Sequence, residues 1–212
     1  MSYTAHIDTF AADNLPPPEQ QPEFIFELPE LRFPERLNCA VELLDRHVSE
    51  GRGDRLCIQA EGLRWSYADL QLKANRIANV LTQELGLKPG NRVLLCAPNN
   101  PMMVACWFGV IKAGGIAVAA MPLLRAKELS TIIDIAQISH ALCDAALRTE
   151  VQGAQEKTST LKAVRYFNSV EADALERMME HAGDDFQAVA TAATDTCLLG
   201  FTSGTTGVPK AT

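Results

Sequence analysis

Apolar positions divide the chain into a polar, proline-broken start and a long body of alternating periods. From Pro34 the spacing predicts a helix whose inner stripe is Leu37, Val41, Leu44 and Val48, with charges opposite. His47 falls on that charged face and reads as solvated. Leu56–Tyr67 gives two short β-rich runs about Glu61-Gly62, the pattern of a hairpin. Ser66 followed by Asp69 is a capping-box start for a second helix, striped by Leu70, Ala74, Ile77, Leu81 and Leu85 and stopped by Gly86. Beyond it the period changes. Arg92–Ala97 is a continuous apolar run, as in a strand covered on both faces. A helix is predicted over Met102–Ala113, a strand over Ile116–Met121, a helix over Ala126–Ile138 and a strand over His140–Cys143. A polar helix, a strand at Ala163–Phe167 and a helix at Ala172–His181 continue the series.

Strand and helix thus alternate from residue 92 to about residue 180. That alternation predicts an α/β fold, a parallel sheet flanked by helices, with ligands in the loops leaving the carboxyl ends of its strands. Six of the eleven prolines precede residue 35. Residues 1–34 therefore read as an extended arm, expected to dock through Phe24, Ile25, Phe26 and Phe33.

Charge narrows the partners. With 19 Lys and Arg against 26 Asp and Glu, the net charge of −7 argues against binding a nucleic-acid backbone. The most apolar run, Met102–Ile111, is about half the roughly 20 residues that span a bilayer, so no membrane partner is expected. The first residues lack a basic segment followed by an apolar one, so they do not read as a secretory signal. Cys39, Cys57, Cys96, Cys106, Cys143 and Cys197 are widely spaced, mostly in apolar runs, which predicts reduced thiols and a cytoplasmic location. No metal site is expected, since His6, His140 and His181 lack ligand spacing.

The chemistry gathers at the end. A buried strand is predicted over Thr196–Phe201, running into Thr202-Ser203-Gly204-Thr205-Thr206-Gly207-Val208-Pro209-Lys210. Gly204 and Gly207 allow positive φ and close backbone approach. Successive N–H groups in such a turn cradle anions, and Thr202, Ser203, Thr205 and Thr206 add hydroxyls. Lys210 adds a positive charge. The competing reading is a flexible surface linker; the apolar strand before the loop and the proline after it favour a built site. It is not a Walker loop, because Val208-Pro209 separates Gly207 from the lysine, and no G-x-G-x-x-G occurs.

This segment resembles the phosphate-binding signature of adenylate-forming enzymes, the superfamily of acyl-CoA synthetases, luciferases and peptide-synthetase adenylation domains. Support comes from Trp65–Leu70, similar to the family's Thr-Tyr-x-Glu-Leu, from Leu87–Val93, similar to its Gly-Asp-Arg-Val turn, and from Gly109–Gly115, similar to its Lys-Ala-Gly-Gly. Ala211 departs from the usual glycine. The resemblance covers residues from about 35 onward and is greatest to aryl-CoA ligases of the benzoate and 2-aminobenzoate type.

The resemblance implies that residues 35–212 form the first subdomain of an adenylation domain, ending directly after the phosphate loop. It implies a carboxylic acid, ATP and CoA as small-molecule partners, with Mg²⁺ accompanying ATP. Thr202, Ser203, Gly204, Thr205, Thr206, Gly207 and Lys210 would hold ATP phosphates. No catalytic residue is expected in this stretch, and residues 1–212 alone are expected to be inactive. A homo-oligomer is compatible with this reading. The alternatives are a non-catalytic nucleotide-binding module and an enzyme that loads a carrier protein.

Overall fold

The computed structural model describes residues 3–202 and 209–212. At its centre is a five-stranded, all-parallel sheet. It contains β3 (Arg92–Cys96), β4 (Ile116–Ala120), β5 (His140–Asp144), β6 (Ala163–Phe167) and β7 (Leu198–Leu199), in the order β6-β5-β3-β4-β7. A separate antiparallel hairpin, β1 (Leu56–Ala60) with β2 (Leu63–Ser66), turns at Gly62, whose φ of 68° is the left-handed region glycine tolerates. Beyond the sheet, β8 (Phe201–Thr202) pairs antiparallel with β9 (Lys210–Ala211).

Alternation along the buried strands supplies two cores. Val93, Leu95, Ala117, Leu142 and Phe167 face α2 (Tyr67–Asn79), α3 (Pro101–Lys112) and α6 (Leu175–His181). Leu94, Cys96, Val118, Ala141 and Cys143 face α4 (Ala126–Ala136) and α5 (Arg148–Gln155). Both faces being covered explains why the strands read as continuous apolar runs. The predicted capping box at Ser66 and Asp69 is present, and Gly86 with φ of 72° ends the helical run that α2 begins.

Three local expectations need correction. The first main helix begins at residue 39 rather than beside Pro34, and contains π-type turns at Val41–Asp45 and Val48–Arg52. The Asn38 side chain fixes this start. Its Oδ1 accepts from the Ala40 N–H, and its Nδ2 donates to the carbonyls of Ile111 and Val189. Those last partners are distant in sequence and leave no local signal. His47 is half-buried, stacked on Tyr67 at 4.3 Å between ring centroids.

The second correction concerns the arm. Residues 12–36 are exposed throughout, including Phe24, Ile25, Phe26 and Phe33. Docking is done instead by the first residues. Ile7 and Asp8 donate backbone N–H to Pro89 O, Asp8 pairs with the buried Arg92 at 2.6 Å, and Tyr3 donates to Ala190 O. A short helix, α1 (Phe10–Asp13), follows, and Phe10 carries the Arg92 guanidinium over its ring at 4.8 Å.

Third, the terminal strand is neither continuous nor fully buried. β7 is two residues long, Leu198 is 48% exposed, and the chain turns at Gly200 into the β8–β9 pair.

Candidate nucleotide site

The site is assembled at the carboxyl end of β4, beside the edge strand β7. Hydrogen-bonded register sets Ala117 against Leu198 and Val118 against Leu199, so β7 lies parallel beside β4. At Gly200 the backbone leaves that ladder. Its N–H donates to Thr212 O and its carbonyl accepts from Thr212 N–H, at 2.8 and 2.7 Å. These two bonds close the base of a hairpin in which Phe201 faces Ala211 and Thr202 faces Lys210.

Two residues proposed from sequence, eight positions apart, are thereby cross-strand partners. Thr202 and Lys210 are both exposed, so a hydroxyl and an ammonium group meet the same solvent-facing region. Ser203, Gly204, Thr205, Thr206 and Gly207 lie outside the described residues. Thr202 and Pro209 line one side of a cavity of about 300 Å³, with Phe201 beside them. Ala119, Ala120 and Met121 from the end of β4, and Leu124, Glu128 and Ile132 from the following loop and α4, complete it.

Glu128 and Met121 were not anticipated as neighbours of Thr202 and Pro209. The local signal for Glu128 was its place three residues after Arg125, where its carboxylate accepts the Arg125 N–H at 3.2 Å and caps α4. Nothing local indicated that this cap would face the terminal hairpin. The cavity itself is apolar apart from the Thr202 hydroxyl and the Glu128 carboxylate, and Lys210 supplies a cation from the paired strand beside it.

A second polar centre sits at the carboxyl ends of the adjacent strands β3 and β5. Buried Asp144 accepts from Asn100 Nδ2 at 2.9 Å, Asn168 Nδ2 at 2.7 Å and the Ala146 N–H at 2.9 Å. Its oxygens are fully engaged, so it braces the loops leaving β3 and β6. Burial and the Asp144 charge push the nearby Cys96 thiol up to about 11, and burial lifts Cys106 and Cys143 further. All six cysteines are free thiols. His140 is equally structural. His140 shares a 2.7 Å bond with Ser139 Oγ through Nδ1, and its Nε2 donates to Leu85 O at 3.0 Å.

A parallel sheet wrapped by helices, with a Thr/Lys hairpin beside β4, defines an α/β domain with a candidate anion site, and comparison with known proteins shows its family. The chain belongs to the AMP-binding enzyme family, whose pattern matches residues 44–212. It is 28% identical to the benzoate–CoA ligase of Thauera aromatica over 184 residues, 87% of this chain and 35% of that protein. It is 32% identical over 156 residues to a long-chain-fatty-acid–CoA ligase of Mycobacterium tuberculosis, 70% of this chain and 29% of that one. Among solved structures, ATP-bound MatB from Rhodopseudomonas palustris superposes with a TM-score of 0.72 at 26% identity, covering 82% of this chain and 34% of MatB. The anthranilate CoA ligase AuaEII, solved with anthranoyl-AMP, shares the fold with a TM-score of 0.79 at 22% identity, over 84% of this chain and 35% of its own. The chain thus spans about a third of the length of these relatives.

Proposed function

We propose that this chain is the amino-terminal portion of an ATP-dependent carboxylate–CoA ligase acting on an aryl acid such as benzoate or 2-aminobenzoate. The overall reaction would convert acid, ATP and CoA to acyl-CoA, AMP and pyrophosphate through an acyl-adenylate. The observation that carries this reading is the pairing of Thr202 with Lys210 at the end of β4, in a chain of the AMP-binding family.

In the first half-reaction the carboxylate attacks the α-phosphorus of ATP. A carboxylic acid is ionised at neutral pH, so no general base is required. What the site must supply is position and charge. Thr202, Ser203, Thr205 and Thr206 would donate hydroxyls to phosphate oxygens, Gly204 and Gly207 would let backbone N–H groups approach, and Lys210 would offset their charge. Mg²⁺ would arrive with the triphosphate, whose oxygens suit it better than a dedicated protein cage. The aryl preference rests on the benzoate–CoA ligase relative, while fatty-acid ligases at similar identity make the longer acids its competitors.

The test is carboxylate-dependent ATP–pyrophosphate exchange by the enzyme at its relatives' full length. Benzoate and 2-aminobenzoate should support exchange at least tenfold better than a long-chain fatty acid. Exchange favouring the fatty acid would overturn the aryl assignment, and no exchange with any acid would overturn the ligase reading.

A further inference from the structure

Two of the cysteines, far apart in sequence, share one cavity. Cys39 opens the helix that starts at residue 39, and Cys197 immediately precedes β7. Both line an enclosed space of about 50 Å³, and the Cys197 thiol lies within hydrogen-bonding reach of the Cys39 sulfur. Neither is sealed from solvent. Both are half-buried, whereas Cys96, Cys106 and Cys143 are buried. Cys57 is half-buried too, but its neighbour is the Tyr67 hydroxyl and not a second sulfur.

The backbone holds the two sulfurs from opposite sides. Beside Cys39, the Asn38 side chain donates to the carbonyls of Ile111 and Val189. Leu37 N–H donates to Thr191 O, and the Thr191 hydroxyl returns a bond to Leu37 O at 2.7 Å. Cys197 O accepts from the Ala117 N–H of β4 at 3.0 Å. Two other titratable groups, His6 and Asp195, share the cavity wall. The Asp195 carboxylate is engaged by the Thr4 hydroxyl and by the N–H groups of Ala5 and Ala192. No group of three metal-ligating side chains converges among the described residues. The chemistry left to this cavity is that of a thiol pair.

We infer that Cys39 and Cys197 are a modification site, oxidised by a low-molecular-weight disulfide such as oxidised glutathione to a reversible crosslink that fastens β7 to the helix start. The Cys39 thiolate attacks one sulfur of the reagent, forming a mixed disulfide and releasing one glutathione thiolate. Cys197 then gives its proton to water and attacks the Cys39 sulfur, expelling the second glutathione thiolate. The protein sulfurs lose two electrons, and the sulfur pair of the reagent takes them up. Burial, reinforced by the Cys39 charge, pushes the Cys197 thiol up to about 11. No stabilised thiolate at Cys197 therefore favours the reduced pair, unlike the dithiols that resist oxidation. The consequence falls on β7, which holds to β4 through only two residue pairs. Just beyond it the chain turns at Gly200 into the hairpin that pairs Thr202 with Lys210. A covalent tie at Cys197 suppresses local opening of that edge. This crosslink follows from the fold and does not rest on the ligase reading.

Equilibrating the native 212-residue chain with oxidised glutathione, then titrating thiols after denaturation, tests this. The count should fall from six to four, with non-reducing peptide mapping joining Cys39 to Cys197, and reduced glutathione should restore six. Cys39→Ser and Cys197→Ser should each abolish the internal crosslink and leave a glutathione adduct on the surviving partner, whereas Cys57→Ser should crosslink as the parent does. Amide hydrogen exchange at residues 198–202 should slow about tenfold on oxidation and recover on reduction. An unchanged count of six, adducts without closure in the parent chain, or a crosslink between any other pair would overturn the assignment. Unchanged exchange at residues 198–202 in the crosslinked chain would overturn the fastening of β7.

Discussion

His140 and His6 are polar side chains recruited as packing material, and each is tied to acid stability. Burial pushes both below the ordinary histidine value of 6.5. The Leu85 carbonyl opposes this at His140, while Asp195 and Asp8 oppose it at His6 without cancelling it. Between the lowered and ordinary values the folded chain holds fewer protons than the unfolded one, so acidification favours unfolding. Stability should therefore fall as the pH drops below about 6.5, well before carboxylates titrate. Asp69 adds a second decline near and below pH 4, because the Ser66 N–H and hydroxyl hold its carboxyl below the usual value. Urea midpoints between pH 7.5 and 5.5 should decrease, and His140→Gln should flatten the slope. An equal slope in that variant would remove His140 from the account. The proposed phosphate loop carries its own expectation at this scale. In the full-length enzyme, Lys210→Ala should slow ATP–pyrophosphate exchange moderately, whereas Gly204→Val should nearly abolish it, since a branched side chain obstructs backbone approach to phosphate. Full activity of Gly204→Val would refute the loop assignment.

Among the elements, the tightest contact is that of α2 with α3. A Cβ added at Gly109 would lie 2.6 Å from Ile77 Cγ2 and 2.8 Å from Ile77 Cβ, so the helices meet where a side chain is missing. Alanine would gain about 1 kcal/mol of helix propensity. The overlap is with atoms at the root of a buried residue, which cannot swing away, and overpacking of this kind costs about 1–3 kcal/mol. Gly109→Ala should thus be destabilised in urea, and wild-type stability would show that the helices can separate freely. The sequence signal for these elements was good because it is local. Val93–Cys96 and Ile116–Val118 are apolar without interruption, and Ser66 with Asp69 announces its own cap. What escaped is non-local. The helix start at residue 39 depends on carbonyls at 111 and 189, the Gly200 turn depends on Thr212, and the exposure of Phe24 depends on which surface lies opposite. For the candidate site, the pattern proposed Thr202 and Lys210, which the structure sets side by side, but not Met121 or Glu128, whose cavity forms where β7 lies against β4.

For the whole molecule, the decisive feature is an uneven surface. Helices cover both faces of the sheet, yet large apolar side chains are left exposed on its β4–β7 side, Met121 at 63% and Leu123 at 74% beyond the end of β4 and Leu198 at 48% on β7. β7 holds to β4 through only two residue pairs, and no other described strand bonds to it. Large apolar side chains exposed on and beyond a short edge strand offer apolar ligands a surface to bind. At concentrations where the 212-residue chain is monomeric, the environment-sensitive dye anilinonaphthalene sulfonate should bind with a blue-shifted emission. Met121→Lys combined with Leu198→Lys should remove more than half of that signal, because both positions are solvent-facing and neither substitution opens the core. The arm provides the control, since its aromatic residues stack on each other and offer little concave surface. Phe24→Ser with Phe26→Ser should leave most of the dye signal intact. Loss of the signal in the arm variant, with none in the Met121/Leu198 variant, would place the apolar surface of this chain on the arm instead of beside the candidate site.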